Sequence, residues 1–370
     1  MDRRTRAIYE AHAEYWIAHR GVDAEARRQL RAFAARLAAG ARVADLGCGP
    51  GWFARALAAR GRTVLGLDLS RAMLREAVRA APRARLVRGD LGRLPFARES
   101  LGGAWAKNTY IHLPFRELPS ALADLARALR PGAPLAVSFL RPNAARQSAR
   151  LARTGWAELR SRDEALAGRL FTLLGEQLAR DLLAGAGFRG VRVRHGERLW
   201  LTALRARTLS DSVRPGLELL VVGLNPSPVA AATGVPFAGA NNRFWPAALR
   251  AGWLARDRDP ADALRRGIGF TDLAKRVTPS ANALRPREYR AGAARVARLV
   301  RVLRPRAVAF VGLDGFRRAV DARARPGPVA AGFAGRPAYL VPSTSGRNAA
   351  VSLAALVRHF RAARRLARAR

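Results

Sequence analysis

Residues 43–52 read VADLGCGPGW, and the order of residue types there decides how the first half of the chain folds. A short apolar run with strand character passes through Asp45 and Leu46 into Gly47, Gly49 and Gly51, and Trp52 then opens a helical pattern. Glycines between a strand and a helix let the backbone pass close to a ligand at the helix N-terminus. Working outward, TVLGLD ends a second run on Asp68, and LVRGD ends a third on Asp90. Both acids fall at the carboxyl ends of predicted strands, where open α/β sheets bind ligands. From Ala41 to about Phe139, short strands alternate with Ala/Leu/Arg-rich helices, which implies a parallel, doubly wound sheet.

This part resembles the class I S-adenosylmethionine-dependent methyltransferases over roughly residues 40–140. The resemblance rests on DLGCGPG, Asp68, Gly89-Asp90-Leu91 and ALRPGAPLAVSF. It implies that Asp45, Gly47, Gly49 and Gly51 hold the amino-acid part of S-adenosylmethionine, that Asp68 takes the ribose, and that Asp90 with Leu91 edges the adenine. A nicotinamide-binding Rossmann domain is the alternative, but its third glycine is missing from GCGPGW. The methyl acceptor is unknown. After the fourth strand the chain reads Lys107-Asn108-Thr109-Tyr110-Ile111-His112, without the two prolines that amino-methylating DNA enzymes carry there. The only cysteine, Cys48, lies in the cofactor loop, so none is placed to attack cytosine. The resemblance is closer to methyltransferases of small molecules. Tyr110 and His112 face the expected acceptor side, with a structural role as the other reading of His112.

A second alternation of strands and helices follows TLSDSVRPG, residues 208–216, which reads as a linker. ELLVVGLNPS places Asn225 and Pro226 directly after a buried strand. Then come TGVPFAGANNRFW, GIGFTDLAKRVTP, VAFVG and VPSTSGRNA, the last before a closing helix. This ordered set resembles the mismatch-specific uracil/thymine-DNA glycosylase branch of the uracil-DNA glycosylase superfamily over about residues 216–365. The resemblance implies that Asn225 is catalytic, that Phe237 stacks on an extruded base, and that Asp272 lies near that base. Ser343, Ser345, Gly346 and Arg347 would form the loop that pinches the DNA backbone and wedges into the duplex. Phe237 could instead be a core residue, and Asp272 could either accept a hydrogen bond from a base imide or cap the next helix. No carboxylate accompanies Asn225 in its own motif, so positioning rather than base catalysis is expected of it. Phe244 and Trp245 read as core.

The fold expected is therefore α/β in two domains, a Rossmann-like methyltransferase sheet over residues 1–207 and an α/β/α glycosylase-like domain with a short parallel sheet over 217–370. Residues 1–40 are expected to be a helical lid on the first. The 370-residue length suits two cores. Only Lys107 and Lys275 are lysines among 67 basic residues, leaving 65 arginines and a formal charge of +40. A GC-rich genome biases composition that way, yet such a surface also attracts polyanions. The expected partner is double-stranded DNA with mismatched or damaged bases. One cysteine excludes internal disulfides, cysteine-ligated zinc and a four-cysteine iron–sulfur cluster, and no metal is expected. The chain offers neither a secretory signal nor a membrane span, and the expectation is a cytoplasmic protein. Two functional readings stay open: a bifunctional glycosylase and methyltransferase, or a methyltransferase delivered to nucleic acid by an inactive glycosylase-fold module.

Overall fold

The computed structural model describes residues 1–142, 145–279 and 283–369. The chain divides into two compact units, Met1–Leu183 with Phe188–Ala206, and Ala184–Gly187 with Arg207–Arg370.

In the first unit, β1 (Arg42–Leu46), β2 (Thr63–Asp68), β3 (Arg85–Arg88), β4 (Gly103–Lys107) and β5 (Pro134–Leu140) are parallel. A hairpin of β6 (Trp156–Arg160) and β7 (Leu170–Leu174) stands apart from the main sheet, and β8 (Phe188–His195) and β9 (Arg198–Arg205) close it in the order β3-β2-β1-β4-β5-β9-β8. The order reverses between β1 and β4, so a crevice opens at their carboxyl ends. The interior of β1 is fully buried from Val43 onward, as a central parallel strand requires. Its helix, Trp52–Ala58, starts at Gly51, whose φ of +83° is cheap only for glycine. Ser70 caps the helix Arg71–Ala80 by accepting from the Met73 N–H at 3.2 Å.

The run FTLLGEQLARDLL suggests a helix from its first residue, whereas Leu170–Leu174 is strand β7, paired antiparallel with β6. A five-residue apolar run reads equally as helix or strand by periodicity. The decision is tertiary: the Leu170 N–H donates to Thr5 and the Thr172 hydroxyl to the Leu113 carbonyl.

The second unit holds β10 (Leu219–Gly223), β11 (Ile268–Asp272), β12 (Ala307–Val311), β13 (Gly327–Phe333) and β14 (Arg336–Val341), ordered β11-β10-β12-β14-β13. All pair in parallel except β13, which is antiparallel to β14. Phe244, Trp245, Trp253 and Phe360 fill its core. Ser227 caps the helix Pro228–Thr233, and Ser352 caps the closing helix Leu353–Arg368. Arg370 of the C-terminal basic run lies outside the described residues.

Residues 208–216 do not form the loose linker their polar composition suggests. Thr208, Leu209, Asp211 and Val213 are buried. Ser212 exchanges both backbone hydrogen bonds with Phe270 of β11, covering that sheet edge. The Asp211 carboxylate pairs with Arg295 at 2.8 Å and Lys275 at 2.9 Å. The charge that marked the segment as polar is thus the charge that anchors it.

Two candidate sites

The first site is a cavity of about 1040 Å³ at the carboxyl ends of β1, β2 and β4. Asp45, Gly47, Gly49 and Asp68 line it; Gly51, Asp90 and Leu91 do not. Gly47 has φ +65°, and a Cβ there would lie 2.4 Å from Thr109 Cγ2, so that position tolerates no side chain. The Gly49 N–H donates to Asp68 Oδ2 and the Ser70 N–H to Asp68 Oδ1, both at 2.9 Å. Asp68 thereby fixes the glycine loop as well as facing the cavity. Burial pushes the Asp45 carboxyl up to about 7, with the Asp68 charge adding to it. Its Oδ2 is buried without a hydrogen-bond partner among the described residues, and a cationic ligand group there would be a gain. Asp90 accepts from the Gly92 N–H at 2.7 Å and pairs with the Met1 amine, and Leu91 is buried beside it.

The other wall of the cavity brings together residues far apart in sequence. His112 and Tyr9 line it, whereas Tyr110 is fully buried and lies outside the lining. His112 Nδ1 lies 2.8 Å from the Leu170 carbonyl, a pure acceptor, so Nδ1 carries the proton and Nε2 accepts from the Tyr9 hydroxyl at 3.0 Å. Burial holds the His112 pKa down at about 4, and the ring is neutral at pH 7. Arg169 donates to the Tyr9 oxygen at 3.3 Å and lies over the Tyr9 and Phe171 rings. Trp16 stacks on Trp52 at the cradle's edge. Asp23, Glu25 and Glu197 bring carboxylate oxygens together nearby, and Lys107 and Arg198 neutralise them.

The second site lies at the carboxyl ends of β10 and β11. Gly223 and Asp272 are register partners, and a Cβ on Gly223 would meet Asp272 Oδ1 at 2.4 Å and Phe237 Cζ at 3.4 Å. A glycine floor therefore lets the Asp272 carboxyl and the Phe237 ring converge two residues before Asn225. Phe237 adopts φ +55°, an uncommon conformation for a bulky residue, and stacks parallel on Phe244 at 4.2 Å. It is partly exposed and packs its other side against the core of the second unit. Asp272 is buried, and burial pushes its carboxyl up to about 6. No backbone N–H among the described residues donates to it, so it does not cap a helix.

Asn225 Nδ2 donates to the Thr278 hydroxyl at 2.8 Å and to the Pro226 carbonyl at 3.1 Å, with the Arg276 carbonyl at 3.5 Å. Carbonyls only accept, so the amide nitrogen must face them and Oδ1 must face the opposite way. The remaining loop is ordered internally: the Ser345 N–H donates to Ser343 Oγ, the Arg347 N–H to Ser345 Oγ, and Asn348 Nδ2 to the Ser343 carbonyl. Gly346 packs against Asn241, where a Cβ would come within 2.8 Å, and Arg347 is exposed.

Arg243 escaped the sequence reading. Its N–H donates to the Thr344 carbonyl at 2.9 Å, and its guanidinium donates to the carbonyls of Val351, Ser345 and Asn348. The arginine in NNRFW thus clamps the 343–351 loop to the segment that carries Phe237. Among 65 arginines, only its place inside a motif could have singled it out.

The first unit thus carries a glycine loop facing a cavity, and the second brings a carboxyl and an aromatic ring together at a glycine just before Asn225. Residues 43–132 match the family model of the methyltransferase domain, and residues 210–365 match that of the uracil DNA glycosylase superfamily. The chain joins a methyltransferase domain to a uracil DNA glycosylase superfamily domain. Similar solved structures include a SAM-dependent methyltransferase of Methanosarcina mazei, with 19% identity over 46% of this chain and 95% of that one and a TM-score of 0.41. A 1,6-didemethyltoxoflavin-N1-methyltransferase of Burkholderia thailandensis shows 20% identity over 55% and 88%, with a TM-score of 0.45. Magnesium protoporphyrin IX methyltransferase of Synechocystis shows 21% over 54% and 98%, with a TM-score of 0.40. No helix among the described residues is long and apolar enough to cross a membrane.

Proposed function

We propose that the second unit is a DNA glycosylase that hydrolyses the N-glycosidic bond of uracil mispaired with guanine in double-stranded DNA, and that the first transfers a methyl group from S-adenosylmethionine to a small molecule. The observation that carries the glycosylase reading is the convergence of the Phe237 ring and the Asp272 carboxyl on Gly223, two residues before Asn225, whose amide is held by Thr278. Phe237 offers its partly exposed ring to a flipped pyrimidine, repaying part of the unstacking cost. Asp272 accepts the imide N–H of the base, a donor that cytosine lacks at the same position. Asn225 Oδ1 accepts a hydrogen bond from water and aims its lone pair at the sugar C1′. The C1′–N1 bond breaks, the base departs as an anion, and the water adds to C1′ and gives its proton to solvent, from which the departed base anion is reprotonated. Arg347, exposed on the loop, serves in this reading as the wedge. No step requires a metal.

The cradle fits S-adenosylmethionine on three counts: a Gly47 position that admits no Cβ, a buried Asp45 oxygen without a partner among the described residues and suited to an ammonium group, and Asp68 facing the cavity. When bound, it supplies an electrophilic methyl group. Asp90 and Leu91, off the cavity lining, are proposed to edge the adenine. The loop predicts one clear result: Gly47→Ala forces Thr109 aside and should weaken S-adenosylhomocysteine at least about tenfold by calorimetry, leaving base excision unchanged. Equal binding by both proteins would remove the cradle from the assignment.

The Arg243 clamp predicts another. Arg243→Ala strips donors from three loop carbonyls and should cost about 3 kcal/mol of stability. Amide exchange across residues 343–351 should quicken, and excision should fall mainly through weaker duplex binding. Unchanged exchange in that loop would show that the arginine does not hold it.

A strand-cleavage assay on a G·U duplex tests the glycosylase reading. Methyl transfer that depends on DNA, without base release, would instead support a targeting module.

A further inference from the structure

Six arginines line the first cavity, Arg20, Arg141, Arg160, Arg162, Arg169 and Arg198, against the carboxylates of Asp23, Asp45, Asp68 and Asp163. Most of these arginines are satisfied. Arg160 pairs with Asp2, Arg20 takes Asp163 at 3.2 Å, and Arg141 donates to the Gly196 carbonyl. Arg169 differs because it is 5% exposed and yet poorly neutralised. Its Nε donates to the Leu166 carbonyl at 3.0 Å, and one Nη1 bond goes to Tyr9. Its one carboxylate contact, Asp163, lies at 3.5 Å and is shared with Arg20. A guanidinium has five N–H donors, so two remain open among the described residues. A buried cation with a distant, shared counter-charge is costly unless a ligand completes it. Arg162 nearby is exposed and has no described partner. Beside these charges, Ile111, Leu159, Phe171 and Leu173 give the wall an apolar surface.

We propose that the methyl acceptor is a small, planar, apolar acid whose anionic group, carboxylate or phosphate, takes the open N–H groups of Arg169. The fork geometry of a guanidinium matches two oxygens of such a group. The inference rests on the methyltransferase reading of this cavity and adds the chemical class of its acceptor. Seated on Arg169, the acid lies beside the Tyr9 hydroxyl and against the Phe171 ring, between the arginine wall and the cradle.

The test is calorimetry on the full chain saturated with S-adenosylhomocysteine, titrated with benzoate, phenyl phosphate and neutral benzyl alcohol. One of the two anions should bind at least about tenfold tighter than the alcohol, and the tighter one names the group. Arg169→Gln should abolish the preference and leave S-adenosylhomocysteine affinity unchanged. Should that buried variant fail to fold, Arg162→Gln, at an exposed position, should weaken the preferred anion severalfold. Equal affinity for acid and alcohol, no anion binding to the saturated protein, or unchanged anion affinity in the variant that folds would each overturn the inference alone. Failure of the unmutated chain to bind S-adenosylhomocysteine would overturn the methyltransferase reading and this inference with it.

Discussion

Asn225→Ala is expected to lower uracil release from a G·U duplex by about two to three orders of magnitude, with duplex affinity held within about twofold. The asymmetry follows from the amide's contacts. Nδ2 is spent on Thr278, Pro226 and Arg276, so only Oδ1 is available to the reaction. A water so oriented gains little in the ground state and much as C1′ becomes cationic, which places the loss in the rate rather than in binding. Asn225→Asp is the informative second variant, because it keeps the acceptor and forfeits the bonds that pin it. Single-turnover rates and gel-shift affinities measured side by side check the split. Parallel loss of rate and affinity would mean that Asn225 holds DNA and does not act on water.

Excision should also depend on pH through Asp272. Its carboxyl, raised by burial to about 6, accepts an imide N–H most strongly when ionised, the protonated acid keeping only its weaker carbonyl acceptor. The rate is therefore expected to be level above pH 7 and to fall through about pH 6 to a lower plateau. Asp272→Asn keeps an acceptor oxygen and removes the titration, so its profile should be flat across that range. The same shift has a cost in stability. A carboxyl whose folded pKa exceeds its unfolded value of 3.8 contributes stability below that value and loses it as pH rises through about 6. At neutral pH the loss is about 3 kcal/mol, so Asp272→Asn should unfold at higher denaturant than the unmutated chain. A pH limb that survives in Asp272→Asn would assign it to another group.

Local pattern carried the parts of this molecule that depend on local chemistry. The glycine loop after β1, the strand-end acids Asp68 and Asp90, and Asn225 at the end of β10 are each legible because a strand, a turn and a residue type coincide within a few positions. The β6–β7 hairpin was not, since Leu170–Leu174 becomes a strand only through partners at Thr5 and Leu113. The segment 208–216 misled for a related reason: Asp211 looks like linker chemistry until Arg295 and Lys275 are brought to it. Charge partners at such separations leave no periodicity. The two readings left open for Asp272 needed coordinates as well, because a helix cap is distinguished from a ligand-facing carboxyl only by the donors around it. Arg243 and Arg169 were hidden by composition, in a chain where arginine is too common to carry information.

The assay closest to the central claim is release of free base and alkali-revealed cleavage from labelled duplexes carrying G·U, A·U, G·T or G·C pairs, using the unmutated chain without S-adenosylmethionine. The account predicts release of uracil from G·U, none from G·C, and loss of the product with Asn225→Ala. Protein that is folded and bound to these duplexes, yet leaves every strand intact, would contradict it.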